Sequence, residues 1–155
     1  MRQHNVTAAD RRPTPPSRPR PVLVVDDESL IQLSLGRLLR LRGFAPISAA
    51  TIAGAVRVTE DSAIEAVVLD LGLPGGESAL DFLAWFRGLP RHKKTPVMIL
   101  TGHAYLGPEQ MAIIKRYHSL VFYKPVSFAT LDHCLELLLG GVAPAVPPKS
   151  IGFPR

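Results

Sequence analysis

The sequence predicts an α/β fold, in which a doubly wound five-stranded parallel sheet carries helices on both faces. The first observation is that five short apolar runs alternate with five segments of helical periodicity between residues 21 and 140. The second is that these runs are apolar almost throughout, as expected for strands that are covered on both faces. Such an alternation favours parallel pairing, because parallel neighbours need a crossover connection.

Local patterns predict the elements in order. The first strand covers 22–25, and Ile31, Leu35 and Leu39 mark the helix that follows, which Gly43 can end in the left-handed conformation. The later elements are a strand over 44–49, a helix over 51–60, a strand over 66–69, a helix over 79–87, a strand over 97–100, a helix over 108–117, a strand over 121–123 and a helix over 128–139.

The last helix and the flanks complete the domain plan. In the last helix one side carries the apolar residues Phe128, Leu131, Leu135 and Leu138, and Gly140 and Gly141 end it. Nine of the fifteen prolines lie at 13, 15, 16, 19 and 21 or at 144, 147, 148 and 154. Such Pro-rich sequence buries too little apolar surface to offset the cost of ordering. We therefore expect disordered tails at 1–20 and 141–155 around a domain at 21–140.

Charge and composition exclude several classes of function. The formal net charge is +5, but residues 1–20 hold five Arg and one Asp, which leaves 13 basic and 12 acidic residues in the rest of the chain. The basic character therefore belongs to a tail, and nucleic acid is not an expected partner. Cys134 is the single cysteine, so an internal disulfide is excluded. With no apolar run long enough for a membrane span or a signal peptide, we expect a cytoplasmic protein and no membrane partner.

Polar residues stand where the predicted strands end. Ligands of such sheets bind at the carboxyl ends of the strands. Asp26, Asp27 and Glu28 follow the first strand, Asp70 the third, Thr101 the fourth and Lys124 the fifth. Each has a simple structural explanation alone, as a helix cap, a turn or a solvated lysine. Their joint placement at four strand ends predicts a functional site.

The chemistry of these groups indicates phosphoryl transfer. Clustered carboxylates repel one another, so the site must recruit cations. Lys124 supplies one, and Mg²⁺ suits carboxylate and carbonyl oxygens, whereas these strand ends offer no His or Cys for Zn²⁺. A metal-bound phosphoryl group needs a nucleophile, and a carboxylate can serve as one.

Four segments resemble the receiver domain of bacterial two-component response regulators, of the stand-alone type. They are Val22 to Ser29 with its acidic pair, Val68 to Leu71 before Leu73-Pro74-Gly75, Ile99 to Gly102, and Tyr123 to Val126. The resemblance covers about 21–140 and implies the flavodoxin-like strand order 2-1-3-4-5. It also implies a signalling protein that catalyses only its own phosphorylation and dephosphorylation.

The resemblance assigns roles residue by residue. Asp70 resembles the phosphoacceptor, which takes its phosphoryl group from the phosphohistidine of a sensor kinase or a histidine phosphotransfer protein. Asp26, Asp27 and Asp70 resemble the side chains that hold Mg²⁺, with the backbone carbonyl of Gly72 as a further ligand. Thr101 resembles the hydroxyl that bonds a phosphoryl oxygen. Lys124 resembles the ammonium that pairs with the phosphoacceptor, and the bond to the proline after it is typically cis.

The sequence also departs from the family pattern. Receivers usually carry Tyr or Phe three residues before the lysine, and this chain has Val121 there, with Phe122 and Tyr105 as candidate substitutes. In the loop after Asp70, Ser78 or Ala79 stands where Gly is common. Because no output domain follows residue 140, we expect the chain to resemble the stand-alone receivers, which act by docking to a downstream protein or by relaying phosphate.

Two other functions stay open. A degenerate receiver would act as an interaction module without phosphorylation, and the missing aromatic favours it. An aspartyl-phosphate hydrolase would need an acid at position 72, where this chain has Gly72.

Several side chains have both a functional and a structural interpretation. Leu33 is either an exposed leucine or a contact for the phosphodonor, and His103 is either a surface loop residue or an acid-base group beside the site. Trp85 and Phe86 are interpreted as a core aromatic and its neighbour. The charged run at 91–94 is expected to be solvated.

Overall fold

A computed structural model describes residues 18–75 and 78–139. The predicted tails at 1–20 and 141–155, except for residues 18–20, lie outside these described residues, as do Gly140 and Gly141. Their predictions therefore stay predictions.

The five strands form one parallel sheet. They are β1 (Pro21–Val25), β2 (Ala45–Ala49), β3 (Ala66–Asp70), β4 (Val97–Thr101) and β5 (Leu120–Tyr123). Their order is β2-β1-β3-β4-β5, and every neighbouring pair is parallel. The predicted fold class and strand order are confirmed. In the register Val25 lies between Ala49 and Leu69, so the strand ends meet at one edge of the sheet.

Four of the five helices connect the strands, and the fifth follows β5. They are α1 (Ser29–Leu41), α2 (Ile52–Asp61), α3 (Ala79–Gly88), α4 (Pro108–Arg116) and α5 (Phe128–Leu139). A short 3-10 helix over Pro90–His92, which the sequence analysis did not predict, precedes β4. Among the described residues no helix combines the length and apolar character needed to cross a membrane.

Local chemistry explains where the helices begin and end. Thr51 and Ser78 cap α2 and α3, because their hydroxyl oxygens accept the N–H groups of Gly54 and Asp81 at 3.0 and 3.1 Å. Gly43 ends α1 with a φ of +83°, as predicted.

The two faces of the sheet bury two separate clusters of apolar side chains. Val22 and Val24 point with Val68 into a cluster that α1 and α5 cover. Leu23 and Val25 point into a second cluster, covered by α2, α3 and α4. The alternation along each strand therefore divides the core between the two helical layers.

Two side chains differ in burial from what their sequence patterns suggest. Phe128 is 59% exposed at the start of α5, because the buried side of that helix is formed by Leu131, Cys134, Leu135 and Leu139. His92, in the run expected to be solvated, is 2% exposed. Its ring, at the end of the 3-10 helix, stacks on Phe86 with the centroids 4.3 Å apart.

Of the two adjacent aromatic residues on α3, Phe86 is the core residue and Trp85 its partly buried neighbour.

Candidate functional site

The sequence-predicted site residues meet at the carboxyl edge of the sheet. Asp26 follows β1 directly, Asp70 is the last residue of β3, Thr101 is the last residue of β4, and Lys124 follows β5. The strands deliver these side chains together because β1, β3, β4 and β5 are consecutive neighbours in the sheet. The parallel register of the strands is sufficient to bring these side chains together, without an unusual backbone conformation.

Three carboxylates form the centre of the site. One oxygen each of Asp26, Asp27 and Asp70 lies within 4.8 Å of the others. Asp26 and Asp70 are buried, at 2% and 4% exposure, while Asp27 faces solvent. Two buried like charges at this separation destabilise the fold unless cations or hydrogen bonds compensate them.

Backbone groups supply part of that compensation. The N–H of Glu28 donates to Oδ1 of Asp26 at 2.9 Å, and the N–H of Gly72 donates to Oδ1 of Asp70 at 2.9 Å. Gln32, on the first turns of α1, donates its side-chain amide to the carbonyl of Asp26 at 2.5 Å. One oxygen of each buried carboxylate is therefore oriented by its own loop.

Lys124 joins the other carboxylate oxygens. Its Nζ lies 3.0 Å from Oδ2 of Asp26, 3.0 Å from Oε1 of Glu28 and 3.4 Å from Oδ2 of Asp70. The side chain is mostly buried, so the interpretation as a solvated surface lysine is wrong. The bond from Lys124 to Pro125 is cis, as the resemblance implied.

The charges shift two pKa values. Burial raises the pKa of Asp26, and the charge of Asp70 adds to the effect, while the hydrogen bonds from Glu28 and Lys124 oppose it without cancelling it. Burial alone would lower the pKa of Lys124, but its hydrogen bonds to Asp26 and Glu28 and the charge of Asp70 outweigh burial and raise it. Lys124 is thus a permanent cation in the site.

Thr101 has a structural role, and its hydroxyl group can also act in the site. It is fully buried, and its Oγ1 accepts the N–H of His103 at 3.1 Å. Its carbonyl accepts the N–H of Lys124 at 2.7 Å, which ties the end of β4 to the lysine. The hydroxyl proton remains available for an acceptor at the site.

His103 faces the site from the loop after β4. A methyl group built on Gly72 would lie 3.5 Å from Oδ1 of Asp70 and 3.9 Å from Nε2 of His103. The imidazole and the Asp70 carboxylate therefore border the same opening above Gly72. His103 is also exposed to solvent. It is therefore both a surface loop residue and a neighbour of the site.

The donor set fits a hard divalent cation. All three acidic ligands are oxygens, as Mg²⁺ prefers, and the cluster offers no nitrogen or sulfur ligand of its own. One oxygen of each carboxylate lies within 4.8 Å of the other two, so a single ion could contact all three residues. Asp26, Asp27 and Asp70 would hold such an ion, and Gly72 lies beside them.

The roles of Glu28 and Gln32 were not predicted from the sequence. Glu28 appeared at the end of the first strand without a function, and its contact with Lys124 spans 96 residues of sequence. Gln32 follows Glu28 by four residues, so it lies one helical turn further along α1. That spacing is the one sequence signal that could have placed Gln32 near the acids.

The candidates to replace the aromatic residue that receivers usually carry at position 121 have different surroundings in the structure. Val121 packs in the cluster under α2, α3 and α4, whereas Phe122 packs in the cluster under α1 and α5. Phe122 therefore lies on the opposite face of the sheet and does not replace an aromatic at position 121. Tyr105, in the loop before α4, is largely exposed.

Comparison with known proteins agrees with this geometry. Residues 22–136 match the family model of the response regulator receiver domain, and the chain belongs to that family. Signalling by phosphorylation, Mg²⁺ binding at an acidic pocket, and interaction with sensor kinases and downstream targets are general properties of the family.

Individual relatives differ in how much they share with the chain. The transcriptional regulatory protein KdpE of Mycobacterium tuberculosis is 41% identical over 80 residues, which are 52% of this chain and 34% of that protein. A putative NtrX-like response regulator of Rickettsia bellii is 35% identical over 83 residues, 53% of this chain and 17% of its own. The chain thus spans about a third of the length of the first of these curated relatives and about a sixth of the second.

A solved structure shares the fold over nearly its whole length. The chemotaxis protein CheY4 of Vibrio cholerae superposes with a TM-score of 0.69 at 23% identity, over 78% of this chain and 99% of its own. At that identity the likeness concerns the fold alone.

Proposed function

We propose that the chain is a response regulator receiver that takes a phosphoryl group onto Asp70 from the phosphohistidine of a sensor kinase or a histidine phosphotransfer protein. The observation that carries the proposal is the grouping of Asp26, Thr101 and Lys124 around the buried carboxylate of Asp70. The proposal places the protein in the cytoplasm.

Phosphoryl transfer to Asp70 uses the side chains at the carboxyl edge of the sheet. An oxygen of Asp70 attacks phosphorus, the new P–O bond forms, and the P–N bond breaks with its electron pair returning to the imidazole of the donor. Bound Mg²⁺, held by Asp26, Asp27, Asp70 and the carbonyl of Gly72, would neutralise phosphoryl charge.

Two further side chains receive the phosphoryl group. Thr101 donates its hydroxyl proton to one phosphoryl oxygen, and Lys124 donates to another. Water later attacks phosphorus, the P–O bond to Asp70 breaks, inorganic phosphate leaves, and Asp70 returns to a carboxylate. The chain then catalyses only its own phosphorylation and dephosphorylation and turns over no other substrate.

Apolar surface beside the site supports docking to protein partners. Leu33 is exposed on α1, as the sequence analysis expected, and it lines a groove of about 500 Å³ with Leu38, Leu41 and Phe128. Exposed apolar side chains that form a continuous groove are typical of interaction surfaces. We assign the groove to the phosphodonor and the α4–β5–α5 face to a downstream protein.

A second candidate function rests on Val121. Without an aromatic at this position, the chain would be a degenerate receiver that binds its partner without phosphorylation. The intact set of Asp70, Thr101 and Lys124 argues against it.

Intact mass spectrometry after incubation with acetyl phosphate and Mg²⁺ separates the two functions. We expect one phosphoryl adduct on the wild-type protein and on Asp81→Asn, which changes an exposed acid of α3, and none on Asp70→Asn. A wild-type protein without an adduct would support the degenerate receiver. An adduct retained by Asp70→Asn would mean that another residue accepts the group.

A further inference from the structure

The ammonium of Lys124 is shared among three carboxylates in the unphosphorylated protein. Glu28 and Asp26 each hold it at 3.0 Å, and Asp70 lies further away at 3.4 Å. Asp26 and Glu28 each accept a hydrogen bond from this ammonium group, whereas its contact with Asp70 is an ion pair only. The residue proposed to receive the phosphoryl group is therefore the least closely paired of the three.

Glu28 has no other structural task for its side chain among the described residues. It is the N-cap residue of α1, with φ −80° and ψ 110°, but its carboxylate caps no backbone N–H of that helix. The side chain is 58% exposed, and Lys124 holds it. Such a pair stabilises the fold only slightly, because water solvates the Glu28 carboxylate.

The backbone of Lys124 is fixed while its side chain can turn. Its N–H donates to the carbonyl of Thr101 at 2.7 Å, which anchors the residue to the end of β4. The ammonium can therefore exchange partners through its side-chain torsions alone.

We propose that Glu28 is a positioning residue that competes with the phosphoryl group on Asp70 for Lys124 and releases the ammonium when Asp70 is phosphorylated. This inference rests on the proposed function. Phosphorylation adds about one negative charge and new acceptor oxygens at Asp70. The exposed pair with Glu28 gives way first, whereas the pair with Asp26 is buried and costly to break.

The exchange would also change the surface of the domain. Glu28 and Lys124 line one end of a cavity of about 470 Å³ between α1 and α5, together with Ile31, Phe128 and Leu131. Loss of their ion pair removes a polar bridge at this end. The α1–α5 surface thereby differs between the unphosphorylated and phosphorylated states.

Binding of beryllofluoride, a stable analogue of the phosphoryl group, tests the competition at saturating Mg²⁺. We expect Glu28→Gln to bind it about two- to fivefold more tightly than the wild type, the range that corresponds to loss of an exposed ion pair. Glu60→Gln removes the same charge from an exposed position on α2 and should bind as the wild type does. Titration followed by fluorine NMR measures the affinities.

A second readout concerns Lys124 itself. In the protein without beryllofluoride, the ammonium protons of Lys124 should exchange faster with water in Glu28→Gln than in the wild type, as measured by NMR. Equal or weaker beryllofluoride binding by Glu28→Gln, or unchanged exchange at Lys124, would overturn the inference. Absence of beryllofluoride binding by the wild type would instead contradict the proposed function.

Discussion

Nζ of Lys124 lies 3.0 Å from Oδ2 of Asp26, the more deeply buried of the two enclosed carboxylates in the site. This pair compensates one negative charge, yet Asp26 and Asp70 together with the nearby Asp27 and Glu28 leave an excess of negative charge. Without a bound divalent cation the site therefore destabilises the fold that carries it.

Asp26→Asn should stabilise the protein without Mg²⁺ by roughly 0.5–2 kcal/mol near neutral pH. Burial raises the pKa of Asp26 in the folded state, so its charged form costs stability at any pH above its ordinary value of 3.8. The difference in the free energy of unfolding between Asp26→Asn and the wild type should therefore grow as the pH rises from 3.8 through the raised pKa. It should shrink again as the pH falls. Urea unfolding of both proteins across this range measures it. A variant less stable than the wild type at neutral pH would contradict the prediction.

Asp27→Ala should weaken Mg²⁺ binding by about tenfold or more, because it removes one of three carboxylate ligands. Asp27 is exposed, so we expect little change in the free energy of unfolding without the metal. Isothermal calorimetry measures the affinity. Asp61→Ala, at an exposed position on α2, is the matched control, and equal Mg²⁺ affinity of the two variants would exclude Asp27 as a ligand.

His92→Phe should remove part of the acid sensitivity of the fold. Burial lowers the pKa of His92, and the charges of Arg91 and Arg87 add to this effect. The unfolded chain therefore binds a proton that the folded protein resists, and stability falls as the pH drops below about 6.5.

In the wild type, His92 lowers the free energy of unfolding by at most about 1.4 kcal/mol for each pH unit of acidification. Phe keeps the ring beside Phe86 but lacks the titratable nitrogens, so the slope of stability against pH should become shallower. The lost contact from Nδ1 of His92 to Oγ1 of Thr95, 3.1 Å long, adds only a constant offset. An equally steep slope in His92→Phe would exclude the assignment.

His118→Gly should stabilise the protein by about 0.5–1 kcal/mol. His118 follows the end of α4 with a φ of +49°, a conformation that glycine adopts without steric cost. Ser119→Gly, at the next residue where φ is not positive, should instead destabilise slightly. Thermal unfolding compares the two variants, and a loss of stability in His118→Gly would show that the imidazole contributes more than the strained backbone costs.

Much of the architecture follows from local sequence patterns. The apolar runs and helical periods predicted all five strands and all five helices to within one or two residues, and Gly43 was placed correctly in the left-handed conformation. Asp70 could be placed at a sheet edge because it directly follows the run 66–69, and parallel strands carry functional groups at their carboxyl ends.

Other features depended on packing. Adjacent residues of a strand point to opposite faces of a sheet, but the sequence alone did not show which of Val121 and Phe122 shares a face with α2, α3 and α4. The sequence predicted that His92 belongs to a solvated charged run. In the structure the 3-10 helix places its ring against Phe86.

The sequence by itself therefore determined the class of fold, the order of the elements and the acids at the strand ends, because periodicity and turn chemistry are local properties of the chain. Only the tertiary structure decided which of these groups share Lys124 and which of them are buried. The pair of Glu28 and Lys124 joins residues 96 positions apart. Contacts of that kind are created by the pairing of strands and the packing of helices, and no local pattern specifies the distance between their side chains.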